Sequence, residues 1–215
     1  MDIRQACESV DLPWPEQFDE LVDVPKMCTF RIASLINWIV SQMPADQKYV
    51  NVGVWHGFSI FSGMIGNPDK GCVGVDNFSL FNSPRVSCRQ YFRKFGSENH
   101  DFFEMGFETY FKEHHQGKIG FYFYDADHTY AAQLRGLEIA EPFFADGCLI
   151  MVDDTNQEFP KQATLDFMRQ SKHDYEIIMD KITERPYDPE WWNGILLIRK
   201  NGLKVRPITE EEAEG

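Results

Sequence analysis

Apolar residues recur at helical spacing between Pro25 and Met43, where Ile32, Leu35, Ile36, Ile39, Val40 and Met43 form one stripe closed by Pro44. The period then changes. Tyr49-Val50-Asn51-Val52-Gly53-Val54 predicts a short strand, and the turn Trp55-His56-Gly57 leads into a short helix carrying Phe61 and Ile65, ended at Gly66-Asn67-Pro68. Cys72-Val73-Gly74-Val75-Asp76 predicts a second buried strand that ends in an acid. A helix with Cys88, Tyr91, Phe92 and Phe95 on one face follows, then a short strand from Asp101 to Met105 and a brief helix from Tyr110 to His115. The run Ile119 to Tyr124 is the clearest strand and stops at Asp125. Tyr130, Leu134 and Leu137 mark another helix, stopped near Pro142, and Cys148 to Val152 is a fifth strand ending at Asp153-Asp154. A helix through Leu165 and Met168 and two strands, Tyr175 to Met179 and Gly194 to Ile198, complete the pattern.

Strand and helix alternate at least five times, which predicts an α/β fold: a mostly parallel sheet with helices on both faces. In such sheets ligands bind beyond the carboxyl ends of the strands, where the strand order reverses. Asp76, Asp125, Asp153 and Asp154 all fall at predicted carboxyl ends. The segmentation is an N-terminal segment at 1–24, a candidate lid, a main domain at 25–206 and an acidic tail at 207–215.

Charge narrows the partners. The formal net charge of −13 disfavours docking on nucleic acid or an anionic membrane, which needs clustered Lys and Arg, so a small molecule is the expected ligand. The five cysteines are scattered without a Cys-x-x-Cys pair, and Cys72 and Cys148 sit in strand-like runs as small core residues. No signal-peptide pattern opens the chain and no apolar run approaches the roughly 20 residues of a bilayer span, so the expectation is a reduced, cytoplasmic protein. A homodimer is among the assemblies the sequence allows.

The first turn carries the first candidate chemistry. Gly53 and Gly57 free the backbone around Trp55 and His56, and about 20 residues later Asp76 stands where a carboxylate accepts ribose hydroxyls. The pattern is not Gly-x-Gly-x-x-Gly, and bulky Trp55 fits a pyrophosphate poorly, so a nucleoside without phosphates is the better ligand. The second constellation joins Asp125-Ala126-Asp127-His128 to Asp153-Asp154. Two carboxylates about 4 Å apart repel by roughly 4 kcal/mol at an effective dielectric near 20, so either some stay protonated or a cation such as Mg²⁺ sits between Asp125, Asp153 and Asp154. The alternative has these acids capping helices or pairing with Arg135 and Lys161. Asp127 and His128 are both candidate general bases, with Asp127 preferred.

The runs Asn51-Val52-Gly53-Val54-Trp55-His56-Gly57-Phe58-Ser59, Val75-Asp76, Tyr124-Asp125-Ala126-Asp127-His128-Thr129-Tyr130 and Gly147 to Asp154 resemble class I S-adenosylmethionine-dependent methyltransferases. The likeness is to small-molecule O-methyltransferases of the macrocin and caffeoyl-CoA type, over roughly residues 25 to 200. That resemblance implies a Rossmann-like seven-stranded sheet with an antiparallel last strand. It implies S-adenosylmethionine as cofactor, with its methionine part held by the Gly53 to Gly57 loop, where Asn51 and Trp55 also belong to the site. Asp76 and Asp125 would complete the cofactor site, with Gly106 and Phe107 along the adenine. In the metal-dependent branch Asp125, Asp153 and Asp154 would bind a divalent ion, and Asp127 would take the proton of a substrate hydroxyl. Asn51 stands where an acid is common and Phe107 where a small or polar residue is common, which leaves a catalytically inactive binding protein as the alternative.

Some residues stand apart from this scheme. His114-His115 is expected at the exposed surface, Trp191-Trp192 either walls a substrate or covers the sheet edge, and Trp14 and the segment Asn77 to Arg85 are candidate lids.

Overall fold

A computed structural model describes residues 1–9, 11–13, 15–81 and 84–204. Trp14 and the tail at 207–215 lie outside the described residues. In chain order the elements are α1 (Ile3–Glu8), a 3-10 helix at Glu16–Leu21, α2 (Phe30–Gln42), β1 (Gln47–Val52), α3 (Phe58–Met64), β2 (Gly71–Val75), α4 (Arg85–Phe95), β3 (His100–Phe103), α5 (Phe107–Glu113), β4 (Lys118–Tyr124), α6 (Tyr130–Ala140), a 3-10 turn at Glu141–Phe143, β5 (Phe144–Val152), α7 (Glu158–Gln170), β6 (His173–Lys181) and β7 (Ile195–Leu203).

The strands form one seven-stranded sheet in the order β3-β2-β1-β4-β5-β7-β6. β1 to β5 pair in parallel, whereas β7 runs antiparallel to both β5 and β6. The order reverses between β1 and β4, which sets a crevice beyond their carboxyl ends.

Alternation within the strands builds a core on each face. On β4, Phe121 and Phe123 join the cluster under α2 and α3, while Ile119, Tyr122 and Tyr124 face the opposite cluster. β7 repeats the division, with Ile195 and Leu197 on one side and Leu196 and Ile198 on the other. Both faces are covered, so these strands are nearly continuous apolar runs. Each fully buried Phe or Leu contributes roughly 1.5–3 kcal/mol, which makes the central strands the rigid part of the molecule.

Caps place the helices that border the crevice. The Thr29 hydroxyl accepts from Ile32 N at the start of α2, and the Thr129 hydroxyl accepts from Ala132 N at the start of α6. Gly136 lets α6 lie against the sheet, because a Cβ there would sit 2.1 Å from the Tyr124 ring.

The structure refines two expectations. Among the described residues of 1–24 none lines the crevice; the Arg4 guanidinium of α1 donates to the carbonyls of Ile178 and Ile177 on β6, and Phe18 and Leu21 are buried. The stretch that reaches the crevice is Pro25 to Cys28. His115 is buried rather than exposed, with Nδ1 2.8 Å from the Tyr110 hydroxyl, and only His114 faces solvent. All five cysteines are free and buried, Cys72 and Cys148 within strands as expected. Among the described residues no helix is long and apolar enough to cross a membrane.

Candidate functional site

A cavity of about 750 Å³ opens at the reversal point, walled by the segments that follow β1 to β5 and by the connection between β6 and β7. Six described non-glycine residues hold a positive φ: Trp55, Phe78, Phe81, Asp154, Tyr187 and Trp192. Every one of them lines this cavity. Left-handed backbone costs an ordinary residue about 1–2 kcal/mol, and its concentration around one crevice marks that crevice as the working part of the fold.

On the β1 and β2 side the turn is held by a carboxylate. Asp76 Oδ2 accepts from Val54 N at 2.8 Å and Trp55 N at 2.7 Å, and its Oδ1 accepts from Phe78 N at 2.6 Å. One acid at the end of β2 thus fixes the loop after β1 and the loop after itself. Gly53 sits at φ 85° with its backbone against that of Asp125. The Trp55 indole Nε1 donates to the Phe81 carbonyl at 3.3 Å, linking the two loops across the rim. Gly106 and Phe107 also line the cavity, Phe107 edge-on to Tyr124 at 5.8 Å. Asn51 and Gly57 do not. Asn51 is fully buried; its amide donates to Gly53 O at 3.2 Å and its carbonyl accepts from the Ser59 hydroxyl at 2.8 Å. It braces the turn from below, where an amide offers both a donor and an acceptor. Gly57 packs on Phe61 and begins α3 at φ 99°.

On the β4 and β5 side the expected acids converge around one imidazole. His128 Nε2 lies 3.3 Å from Asp154 Oδ2 and 3.8 Å from Asp125 Oδ1. Burial holds the His128 imidazole below its ordinary pKa against the opposing pull of Asp154 and Asp127, so it is neutral at pH 7. The tautomer with hydrogen on Nε2 points it at Asp154, which leaves Nδ1 as a buried lone pair without a protein partner. Asp125 is pushed well above the carboxylate range by burial and by Asp153, Asp154 and Asp76. Asp153, 2% exposed, is raised by burial and then by Asp154, and its Oδ1 has no partner. Of the alternatives left open by the sequence, protonation of part of the cluster is the one these surroundings favour. Arg135 pairs with Glu108 and Lys161 with Asp180 instead of with these acids.

Asp127, the preferred base, is exposed and lines the cavity, and its Oδ1 accepts from Thr129 N at 2.8 Å at the entry to α6. The ion-binding set is not assembled. Asp154 Oδ1 accepts from Asn193 Nδ2 and its Oδ2 from Gln157 Nε2, both at 2.9 Å. Among the described residues no group of three His, Cys, Asp or Glu side chains is disposed to hold a metal ion. As placed, Asp125, Asp153 and Asp154 do not fit Mg²⁺.

Sequence reasoning overlooked Asn193 and Gln157 and left the tryptophans undecided. The structure divides that pair: Trp191 is buried under Arg31, whose guanidinium carbon lies 4.8 Å from the ring, and Trp192 lines the cavity. The Asn193-Gly194 dipeptide is a turn signal that marks the spot. Phe78 and Phe81 of the second candidate lid do reach the cavity, Phe78 buried and Phe81 exposed.

Comparison with known proteins agrees with this geometry. The family described as "Methyltransferase domain" matches residues 50–155, from β1 through the end of β5. No curated protein matches the sequence. An O-methyltransferase from Bacillus cereus, solved with SAH, superposes with a TM-score of 0.62 at 13% identity, covering 93% of this chain and 97% of its own. The O-methyltransferase TomG from Streptomyces achromogenes, solved with SAM, gives 0.59 at 12% identity over 93% of this chain and 89% of its own. A protein described as a putative rRNA-methylase from Clostridium thermocellum gives 0.58 at 11% identity over 79% of this chain and 94% of its own. At such identities the likeness is one of fold.

Proposed function

Because this chain resembles the class I S-adenosylmethionine-dependent methyltransferases in its domain sequence and its fold, we propose that it transfers a methyl group from S-adenosylmethionine to a hydroxyl of a small molecule. The carrying observation is the His128 imidazole, held beside Asp154 in the same cavity as the Asp76-braced turn.

The residues fit a nucleoside cofactor. Asp76 keeps lone pairs beyond its three backbone bonds and borders the cavity beside Gly53, where a ribose would lie. Phe107 and Gly106 offer a flat, open edge for an adenine, since a Cβ at Gly106 would meet nothing within 4 Å. S-adenosylmethionine supplies an electrophilic methyl on a sulfonium. The acceptor oxygen would take that methyl as the cofactor leaves as a neutral thioether, and His128 would take the hydroxyl proton. Asp154 holds the imidazole in its tautomer and balances the charge it gains. Most of the rate comes from aligning donor and acceptor in a walled cavity. No step is assigned to a divalent ion, because Asp154 is committed to Asn193 and Gln157.

Calorimetric titration with S-adenosylhomocysteine tests the first half of this reading. Binding in the micromolar range is expected, and no heat at millimolar ligand would end it. An inactive binding protein on the same frame is the rival, and methyl transfer to any hydroxylated acceptor that is lost in His128→Ala decides against it.

A further inference from the structure

Six carboxyl groups line the cavity against two cationic side chains, Lys26 and Arg135. Arg135 has its own acid, with Nε 3.1 Å from Glu108. Lys94, Lys161 and Lys181 likewise each meet a carboxylate. Among the described residues none meets Lys26. Its Nζ donates to the Val22 carbonyl at 3.2 Å and lies 5.2 Å from the centre of the Phe30 ring and 5.5 Å from that of Phe58. Two ring faces and one carbonyl hold this ammonium in place without neutralising it. An ammonium carries three donors, so the Val22 bond leaves others for a ligand. Phe58 directly follows Gly57, which sets the Lys26 charge at the glycine turn, on the wall of the cavity.

The turn itself has committed most of its donors. Gly53 N donates to Val75 O at 2.9 Å and Gly57 N to Val54 O at 2.8 Å, while Val54 N and Trp55 N both go to Asp76. Ser59 lines the cavity, but its one hydroxyl proton is given to Asn51 Oδ1 at 2.8 Å. Asn51 is fully buried and does not line the cavity, so position 51 offers a ligand neither a charge nor an amide. A carboxylate brought to this turn therefore faces acidic walls and a single cation that has no acid beside it. In such a field an anionic group is repelled unless that cation meets it.

We infer that Lys26 is the specificity residue for the amino-acid end of the cofactor, its ammonium receiving the α-carboxylate of S-adenosylmethionine and S-adenosylhomocysteine. The grip on that end then falls on the carboxylate, the reverse of a grip on the amino group by an acid at position 51. Lys26 belongs to the stretch between the 3-10 helix and α2, so the same ion pair fastens that stretch to the turn. This inference rests on the methyl-transfer reading of the cavity.

The test is a calorimetric titration of the full chain with three ligands: S-adenosylhomocysteine, its analogue lacking only the amino group and its analogue lacking only the carboxylate. Removing the carboxylate should weaken binding at least tenfold, and removing the amino group no more than threefold. Lys26→Met keeps an apolar stem against Phe30 and Phe58 and deletes the charge. In that variant S-adenosylhomocysteine should fall at least tenfold, to the level of the carboxylate-free analogue, whose own Kd stays within twofold. Lys26→Arg should hold S-adenosylhomocysteine within threefold of the unaltered protein. The analogue series uses the unaltered chain, so it decides the matter even where a variant is destabilised. A greater loss from removing the amino group than from removing the carboxylate would overturn the inference. So would a Lys26→Met protein that still prefers S-adenosylhomocysteine tenfold over the carboxylate-free analogue. Either result leaves the methyl-transfer reading standing, whereas no heat from any of the three ligands at millimolar concentration ends both.

Discussion

Gly53 and Asp125 meet backbone to backbone: a Cβ on residue 53 would lie 1.8 Å from the Asp125 carbonyl oxygen. This contact joins β1 to β4 at the point where the strand order reverses, so the crevice depends on the missing side chain. Gly53→Ala must relieve both the clash and a φ of 85°. The expected outcome is a loss of at least about 2 kcal/mol in chemical denaturation, or a folded protein whose S-adenosylhomocysteine affinity has fallen more than tenfold.

His128→Gln keeps a polar side chain beside Asp154 but removes the base. Turnover should fall roughly 10²- to 10⁴-fold with little change in cofactor affinity. In the unaltered protein, burial lowers the imidazole pKa, so the acid limb of kcat should lie below the ordinary histidine value of 6.5. An acid limb above that value would show that another group takes the proton.

Metal chelation provides a separate check. With Asp154 held by Asn193 and Gln157, EDTA treatment should leave turnover within twofold, and Mg²⁺ should not raise the Tm. Loss of activity on chelation, restored by Mg²⁺ or Mn²⁺, would mean that these side chains rearrange around an ion.

His115 gives a pH-dependent stability. Burial depresses its pKa from 6.5 to about 4, against a raising hydrogen bond to Gly117. Between those values the unfolded chain takes up a proton that the folded chain refuses, so this contribution is fully present above pH 6.5 and is lost as pH falls toward 4. Urea midpoints should therefore decline across that window. His115→Gln should flatten part of the decline; His100, also lowered by burial, accounts for another part.

The sheet was legible because its strands are short apolar runs closed by acids, as in Cys72 to Asp76 and Ile119 to Asp125. Periodicity also found the helices that bury a full stripe, but not α1, whose six residues dock on β6 through Arg4. The crevice acids were placed correctly at strand ends, whereas their partners were not. Asn51 looks like a ligand-facing residue in sequence, and only the fold shows its amide taken by Ser59 and Gly53, whereas Asp127 does line the cavity, with one oxygen accepting from Thr129 N. Asn193 was hidden for the converse reason: it is more than thirty positions from Asp154 and reaches it because β7 returns antiparallel beside β5.

The five cysteines sit at most 9% exposed, and burial pushes the thiols up, Cys7 to about 11 and Cys88 to about 12. An alkylating reagent therefore finds almost no thiolate on the native surface. Labelling of these side chains becomes a clock for opening of the fold: α1 reports through Cys7, the crevice floor through Cys28, and the sheet itself through Cys72 and Cys148. A cofactor that closes the crevice should slow the second of these hands and leave the others running at their own pace.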